Sequence, residues 1–255
     1  MDVKTSPLAL LADPALLKTN ALINGEWIAG RGRFDVHDPA TGQKLADVAN
    51  LGAAETEAAL QAANQAWPAW RGKTAKERAA ILMKWFGLLH QHADDLARIM
   101  TAEQGKPLAE AKGEVAYGAA FIEFFAEEAK RIYGETIPTH KADARIVVVR
   151  QPVGVVGAIT PWNFPIAMIT RKAGPALAVG CSIVIKPASE TPLSALALAE
   201  LAERAGVPAG VLNVVTGSAK EIGAELTGSP VVKMLTFTGS TEIGKVLMEQ
   251  CAGTV

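Results

Sequence analysis

Four short segments of this 255-residue chain combine glycine, proline, lysine or hydroxyl side chains in a way that suits binding of a phosphate-bearing ligand. One of them, Lys186-Pro187-Ala188-Ser189, directly follows an apolar run. Its lysine could contact a ribose hydroxyl or a phosphate of a dinucleotide. Taken alone, Lys186 is better explained as a solvent-exposed lysine at the end of a strand.

A second segment, Thr160-Pro161-Trp162-Asn163-Phe164-Pro165, places an indole N–H and a carboxamide in a turn that two prolines stiffen. An exposed amide ahead of a helix N-terminus suits an oxygen that develops negative charge. Asn163 is therefore a candidate oxyanion donor. Pro161 and Pro165 are explained more simply as parts of a rigid turn.

Two glycine-containing segments complete the set. Thr216-Gly217-Ser218, with Gly223 further on, leads into a short helical pattern, and its glycines permit close approach of a ligand or serve as ordinary turn residues. In the segment 237–244, Gly239 and Ser240 would open a helix with free N–H groups, which can bind a pyrophosphate. The common G-x-G-x-x-G fingerprint is absent, so a dinucleotide would bind in a variant arrangement.

The elements that must position these segments alternate regularly from about residue 145 onward. Strands are predicted at 146–149, 155–159, 182–185, 211–215 and 234–237, and helices at 166–178, 192–205, 219–227 and 240–251. Such alternation indicates an α/β fold, a doubly wound parallel sheet of variant Rossmann type, covered on both faces. Because parallel sheets bind ligands at the carboxyl ends of their strands, all four segments should lie at one edge.

The first half of the chain predicts hairpins followed by helices. Asn24-Gly25 is a hairpin turn signal, and the region from about 53 to 133 is helical, with a capping box from Thr74 to Glu77. Four aromatic residues at helical spacing are predicted to form a stripe that packs on the core. These residues are Tyr117, Phe121, Phe124 and Phe125.

Composition argues against several functional classes. With 25 basic and 26 acidic residues the net charge is −1, so neither a nucleic acid nor a membrane is expected as a partner. The early apolar run 8–12 is followed by Asp13 and Pro14, which argues against a secretion signal. Two cysteines do not indicate disulfides, so a cytoplasmic location is expected. The four histidines are scattered, and no metal site is predicted.

In order and spacing, the segments 160–165, 186–189 and 237–244 resemble the cofactor-site motifs of the aldehyde dehydrogenase superfamily. Within it, the chain is most similar to the succinate-semialdehyde dehydrogenases. The segments 21–27, 103–114 and 168–177 add to a resemblance that extends from about residue 20 to the end. The fold that the resemblance implies is that of the family's cofactor-binding domain.

The resemblance implies roles for the residues of the cofactor site. Trp162 and Ser240 would contact the cofactor phosphates. Lys186 and Ser189 would contact the adenosine ribose, and Gly223 would lie beside the adenine. The other implied cofactor-binding residues are Thr160, Pro161, Asn163, Pro187, Ala188, Gly217, Phe237, Thr238, Gly239 and Ile243.

The resemblance also implies roles on the substrate side. Asn163 would hold the aldehyde oxygen as it becomes an oxyanion, and Lys172 would assist proton removal through water. Met168 and Arg171 would line the substrate tunnel, where Arg171 would bind the far carboxylate of a short aldehyde. The implied reaction is oxidation of succinate semialdehyde to succinate, in 4-aminobutyrate degradation.

The implied cofactors are NADP, which should be preferred, and NAD. Many NAD-preferring relatives have a glutamate at the position of Ser189, and a serine there removes a charge that would repel a 2′-phosphate. The intact enzyme is expected to be a homo-oligomer, a dimer or a tetramer. The implied division of the chain is a helical and hairpin part (1–134), an oligomerisation strand region (135–152) and a dinucleotide-binding core (153–255).

In the family, a catalytic glutamate and a cysteine nucleophile follow the last helix of this sequence. The chain is therefore expected to be a truncated cofactor-binding portion that is inactive by itself. Neither Cys181 nor Cys251 is expected to replace the nucleophile. The alternative hypothesis is a short protein that binds a dinucleotide without catalysis, or that regulates the full-length enzyme.

Overall fold

The computed structural model describes residues 6–254, which contain ten strands and eight α-helices. The strands are β1 (Ala21–Ile23), β2 (Glu26–Ile28), β3 (Gly32–His37), β4 (Lys44–Asn50), β5 (Glu135–Ile137), β6 (Ile146–Val148), β7 (Val155–Ile159), β8 (Ser182–Lys186), β9 (Leu212–Val214) and β10 (Val232–Phe237). The α-helices are α1 (Ala53–Gly72), α2 (Ala75–Gln91), α3 (Ala93–Gln104), α4 (Leu108–Glu128), α5 (Ala167–Val179), α6 (Pro192–Ala205), α7 (Ala219–Gly228) and α8 (Thr241–Cys251). Short 3₁₀ helices span Pro7–Leu10, Pro14–Leu16 and Ala129–Arg131.

The central sheet has the strand order β10-β7-β8-β9-β1-β2. The four strands β7 to β10 are parallel, and β7 has β8 on one side and β10 on the other. The direction in which the chain adds strands therefore reverses at β7, as in a doubly wound fold. The predicted α/β class and the alternation of strands and helices from β7 onward are confirmed.

The N-terminal hairpin adds a feature that the sequence did not predict. The turn at Asn24 and Gly25 is confirmed, and both residues have positive φ angles, 54° and 77°. The hairpin then extends the main sheet, because Leu22 pairs antiparallel with Val214 of β9. The complete sheet is therefore mixed rather than purely parallel.

Both faces of β7, β8 and β9 are buried, which accounts for their nearly continuous apolar sequences. The predicted cover on both faces does not extend to β10, the edge strand, whose residues are all partly or fully exposed. Along β8, Ile183 and Ile185 point into the larger core, which α2 to α6 supply. Val184, between them, points into the smaller core, to which α1 and α7 contribute. This alternation follows from the two-residue period of a strand.

Only part of the aromatic stripe on α4 packs on the core as predicted: Phe125 packs against it, whereas Tyr117 and Phe124 remain 49% and 55% exposed. The buried face of α4 consists instead of small and aliphatic residues, among them Ala111, Val115, Ala119 and Ile122. Small residues let α4 approach α5 closely. A Cβ atom at Gly118 would lie 2.7 Å from Cγ2 of Ile166.

Two strand pairs lie outside the main sheet. β3 pairs with β4, and β5 pairs with β6 in an antiparallel ribbon whose residues are all exposed. The oligomerisation role of the region 135–152 stays a prediction. Within residues 6–254, no helix has both the length and the apolar character that a membrane span requires.

Buried charged side chains satisfy several helix ends. The carboxylate of Glu103 accepts hydrogen bonds from the N–H groups of Leu193 and Ser194, both at 2.7 Å, at the start of α6. The guanidinium of Arg78 donates to the carbonyls of Ala178, at 3.0 Å, and of Lys73, near the ends of α5 and α1. The positive charge of Arg78 matches the partial negative charge of helix C-termini, and the oxygens of Glu103 accept from the free N–H groups of a helix N-terminus.

Glu103 should make stability depend on pH. Burial raises its pKa from 4.5 to about 8, against the opposite effect of the two N–H groups and the Ser194 hydroxyl. Folding therefore favours the protonated form, and the free energy of unfolding should fall as pH rises from 4.5 to 8. Denaturant unfolding across this range should show the fall, and Glu103→Gln should flatten it.

Glu77→Gln is the matched control, since Glu77 caps α2 at an exposed position where hydrogen bonds from Thr74 lower its pKa. Its substitution should leave the dependence between pH 4.5 and 8 unchanged. An unaltered slope in Glu103→Gln would show that Glu103 is not its source.

Candidate functional site

The four segments singled out in the sequence lie side by side at one edge of the sheet, because they follow the carboxyl ends of β10, β7, β8 and β9 in that spatial order. Backbone hydrogen bonds tie neighbouring segments together. The Thr160 N–H donates to the Lys186 carbonyl at 3.1 Å, and the Thr238 N–H donates to the Ile159 carbonyl at 3.2 Å. The crevice at such a reversal of strand order is where open α/β sheets bind ligands.

The turn between β7 and α5 presents polar groups to solvent. Trp162 is 53% exposed and Asn163 is also exposed, directly before α5. Below them, the hydroxyl of Thr160 is buried and has no hydrogen-bond partner among the described residues. The carboxamide of Asn163 can therefore donate to an oxygen placed near the N-terminus of α5.

Two residues that the sequence reasoning did not select support this turn. Glu114 of α4 accepts hydrogen bonds from the N–H groups of Ile166, at 3.0 Å, and Ala167, at 3.2 Å. Its other oxygen forms an ion pair with Lys106, whose ammonium donates to the Asn163 carbonyl at 3.2 Å. Both lie in the segment 103–114, but no local spacing in that segment indicates contacts so distant in the chain.

Lys186 is buried, at 4% exposure, so its interpretation as a solvent-exposed lysine is wrong. Its ammonium donates to the Pro187 carbonyl at 2.8 Å and lies 3.4 Å from the Ser189 hydroxyl. Burial lowers the pKa of Lys186, against a smaller opposite effect of Glu190. Its bonded partners are neutral, so a phosphate or a polarised hydroxyl would stabilise its charged form.

Three glycines of the site differ in what a side chain would contact at their positions. Gly217 has a φ of 132°, and a Cβ atom there would lie 2.3 Å from the carbonyl oxygen of Leu51. A Cβ atom at Gly239 would lie 2.4 Å from the ring of Phe237. Gly223, inside α7, has nothing within 4 Å of the position a Cβ would take. The fold itself therefore requires Gly217, a side chain at Gly239 would displace the Phe237 ring, and Gly223 borders open space.

The start of α8 is exposed at the same edge. The Ser240 hydroxyl caps the helix by accepting a hydrogen bond from the Ile243 N–H at 3.3 Å, and Ile243 is itself 52% exposed. An exposed helix N-terminus of this kind offers N–H groups and a positive partial charge to an anion.

Lys172 connects α5 to the last parallel strand. Its ammonium donates to the hydroxyls of Thr238, at 2.7 Å, and Thr236, at 3.2 Å. Burial lowers its pKa, and the positive charge of Arg171 lowers it further. A lysine in this setting gives up a proton more readily than an exposed one.

Arg171 is held by the aromatic side chains of α4. Its guanidinium donates to the Tyr117 hydroxyl at 2.6 Å and lies 4.7 Å from the centre of the Phe121 ring. Its Nε is buried without a hydrogen-bond partner among the described residues. Arg171 and Lys172 line a cavity of about 870 Å³, but Met168 is not among the residues that line it.

No cysteine lies at the strand-end segments. Cys181 is buried at the start of β8, where burial raises the pKa of its thiol, and Cys251 ends α8. A thiol with a raised pKa is a poor nucleophile. Within residues 6–254, no group of three or more His, Cys, Asp or Glu side chains could hold a metal ion.

The model of the aldehyde dehydrogenase family matches residues 27–255. The chain belongs to this family. It is 68% identical over 244 residues to the NADP-dependent succinate-semialdehyde dehydrogenase of Escherichia coli, a match that covers 95% of this chain and 51% of the relative. It is 64% identical to the glutarate-semialdehyde dehydrogenase of Pseudomonas putida, with the same two coverages. These matches confirm the resemblance found in the sequence.

Solved structures agree with this assignment. The crystal structure of succinate-semialdehyde dehydrogenase from Burkholderia pseudomallei superposes with a TM-score of 0.96 at 62% identity. The match covers 96% of this chain and 52% of that aldehyde dehydrogenase. The chain thus spans about half the length of the relatives that it matches.

Two glycines of the site should respond oppositely to alanine. Gly217→Ala forces a side chain into a left-handed conformation against Leu51 and should lower the free energy of unfolding by about 1–3 kcal/mol. Gly223 lies inside α7 with open space at the position of a Cβ atom. Gly223→Ala should therefore raise the free energy of unfolding by about 0.5–1 kcal/mol. Urea unfolding of the two variants measures both effects. A loss of stability in Gly223→Ala would contradict the conclusion that Gly223 borders open space.

Proposed function

We propose that this chain forms the cofactor-binding portion of an aldehyde dehydrogenase that oxidises succinate semialdehyde to succinate, with NADP preferred over NAD. The observation that carries the substrate assignment is the guanidinium of Arg171, whose Nε is buried and has no hydrogen-bond partner among the described residues. A guanidinium fixed in this way can bind a carboxylate. The two relatives described above are named for aldehydes that carry a carboxylate at the far end.

The strand-end residues fit a dinucleotide. The buried ammonium of Lys186 and the Ser189 hydroxyl would bind the adenosine ribose and its 2′-phosphate, and the start of α8 at Ser240 would bind the pyrophosphate. Gly223 would lie beside the adenine, and Trp162 would contact the phosphates. The bound cofactor supplies the hydride acceptor for the oxidation.

Three residues of the chain would act on the substrate. The carboxamide of Asn163, at the N-terminus of α5, would donate to the aldehyde oxygen as that oxygen gains negative charge. Lys172, with its lowered pKa, would assist proton removal through water. Arg171 would hold the far carboxylate, so that the aldehyde end is positioned beside Asn163.

The nucleophile and the general base would come from the half of the family length that this chain does not span. Cys181 is buried with a raised thiol pKa, and neither cysteine lies at the strand-end segments, so the chain by itself should not oxidise aldehydes. We further propose that the exposed ribbon of β5 and β6 contributes to a homo-oligomer.

The chain should bind NADP more tightly than NAD, because a serine at position 189 leaves Lys186 free to pair with a 2′-phosphate. Ser189→Glu should reverse the preference, since a carboxylate repels that phosphate and accepts bonds from the ribose hydroxyls. A change of about 10- to 100-fold in the ratio of the two dissociation constants corresponds to a charge-assisted contact of roughly 1.5–3 kcal/mol.

Calorimetric titration of the chain with each cofactor measures this ratio. Ser189→Ala, which removes the hydroxyl without adding charge, is the matched variant and should keep the preference for NADP. Continued preference for NADP in Ser189→Glu would disprove this basis of cofactor choice.

The role of Arg171 is tested in a protein of full family length, made by joining this chain to the second half of the E. coli relative. In it, Arg171→Ala should lower kcat/KM for succinate semialdehyde about 10- to 100-fold and leave butanal, which has no carboxylate, nearly unaffected. Steady-state kinetics with both substrates measures the difference.

Arg131→Ala is the control, because Arg131 lines the same cavity but is already paired with Glu128 at 2.7 Å. It should affect neither substrate. Equal losses for both substrates in Arg171→Ala would reduce the substrate assignment to an unspecified aldehyde.

A further inference from the structure

The ion pair between Lys106 and Glu114 joins three separate parts of the chain. The Glu114 side chain is 1% exposed and the Lys106 side chain 10% exposed, so the pair lies inside the molecule. Through it, α4 is connected both to the turn that carries Asn163 and to the first residues of α5. A buried pair in which each charge also makes further polar contacts fixes geometry more strictly than a surface pair does.

The two partners of the ion pair form hydrogen bonds with different parts of the backbone segment that carries Asn163. Ahead of α5, the ammonium of Lys106 donates to the Asn163 carbonyl at 3.2 Å and lies 4.1 Å from the centre of the Phe164 ring. At the helix start, Glu114 accepts the N–H groups of Ile166 and Ala167. The backbone from 163 to 167 is therefore held at both ends by one pair of side chains.

Packing fixes the position of the pair itself. Gly105 has a φ of 82° and ends α3, and Pro107 is the N-cap residue of α4, so Lys106 lies in a short and stiff connection. One turn beyond Glu114, Gly118 brings α4 close to Ile166. Neither partner of the pair can shift far without moving a helix.

We propose that Lys106 is a positioning residue, which acts with Glu114 to set the direction of the Asn163 carboxamide. The proposal rests on the proposed function, in which that carboxamide binds the developing oxyanion. Lys106 itself does not touch the substrate. Because oxyanion stabilisation depends on donor placement within fractions of an ångström, a turn released from Lys106 should retain the fold but lose rate.

The test uses a protein of full family length that carries this chain. Lys106→Met removes the charge and keeps the apolar stem beside Phe164, and Lys106→Arg keeps the charge. The matched control is Lys112→Met, which breaks the exposed pair between Lys112 of α4 and Asp94 of α3. For each protein, kcat and KM for the aldehyde, the dissociation constant of NADP and the unfolding temperature are measured.

Lys106→Met should lower kcat about 10- to 100-fold, below the ~10²–10³-fold loss typical when an oxyanion donor is removed. The NADP dissociation constant should stay within about twofold, Lys106→Arg should recover most of the rate, and Lys112→Met should leave it unchanged. In an Asn163→Ala background, Lys106→Met should have little further effect on kcat, because both act through one group. Additive losses in that double variant would overturn the proposal.

Two further measurements distinguish failure of the proposed function from failure of the role proposed for Lys106. Absence of aldehyde oxidation in the unsubstituted protein would refute the proposed function. Amide hydrogen exchange on this chain tests the pair without activity, and Lys106→Met should speed exchange at Ile166 and Ala167 more than at β8. Where Lys106→Met does not fold, the neutral double variant Lys106→Gln/Glu114→Gln replaces it, and unchanged exchange and kcat there would also overturn the proposal.

Discussion

The parallel pairing of β10 with β7 is the constraint on which the rest of the site depends. The register runs from Val232 beside Val155 to Phe237 beside Ile159, so both strands end at the same level. Since β8 occupies the other side of β7, the turn that follows Ile159 lies between the turns that follow β8 and β10. Segments far apart in sequence thereby form one edge that can contact an extended ligand.

The buried lysines of the site and its support fall into two kinds. Lys106 is paired with the Glu114 carboxylate. Lys186 and Lys172, at the strand-end edge, donate only to neutral oxygens in the described part of the chain. A cation without an anionic partner is costly to bury, and an anionic or polarised ligand compensates this cost. This contrast separates the lysine that supports the fold from the two that are proposed to serve the ligand.

Strands and helices from β7 onward could be predicted within one or two residues, because apolar β-branched runs and amphipathic spacing are local signals. For example, α6 spans the predicted 192–205, bounded by Pro192 and Gly206. The place of the N-terminal hairpin in the main sheet could not be predicted, since Leu22 pairs with Val214 through tertiary packing alone. The exposure of Tyr117 and Phe124 on α4 could not be predicted for a similar reason, since spacing identifies a helix face but not what packs against each of its residues.

The features of the site differ in the same way: some are marked by local sequence, and others depend on contacts between distant parts of the chain. The four turns could be found in the sequence because glycine, proline and polar residues mark strand ends. The burial of Lys186 and the contact of Tyr117 with Arg171 could not, because each depends on elements brought together only in the folded chain. The Lys106–Glu114 pair was missed for the same reason, since its targets lie more than 50 residues further along, at Asn163 and Ile166.

Nuclear magnetic resonance titration of the ¹⁵N-labelled chain with NADP would show whether the strand-end segments form one dinucleotide site. We expect saturable shifts at the Trp162 indole and at the amides of Ser189, Gly223 and Ser240, all following one dissociation constant. The amides of β3 and β4, which belong to a separate sheet, should not shift. Shifts confined to other parts of the chain, or shifts at these four positions that follow different dissociation constants, would show that the segments do not form one site.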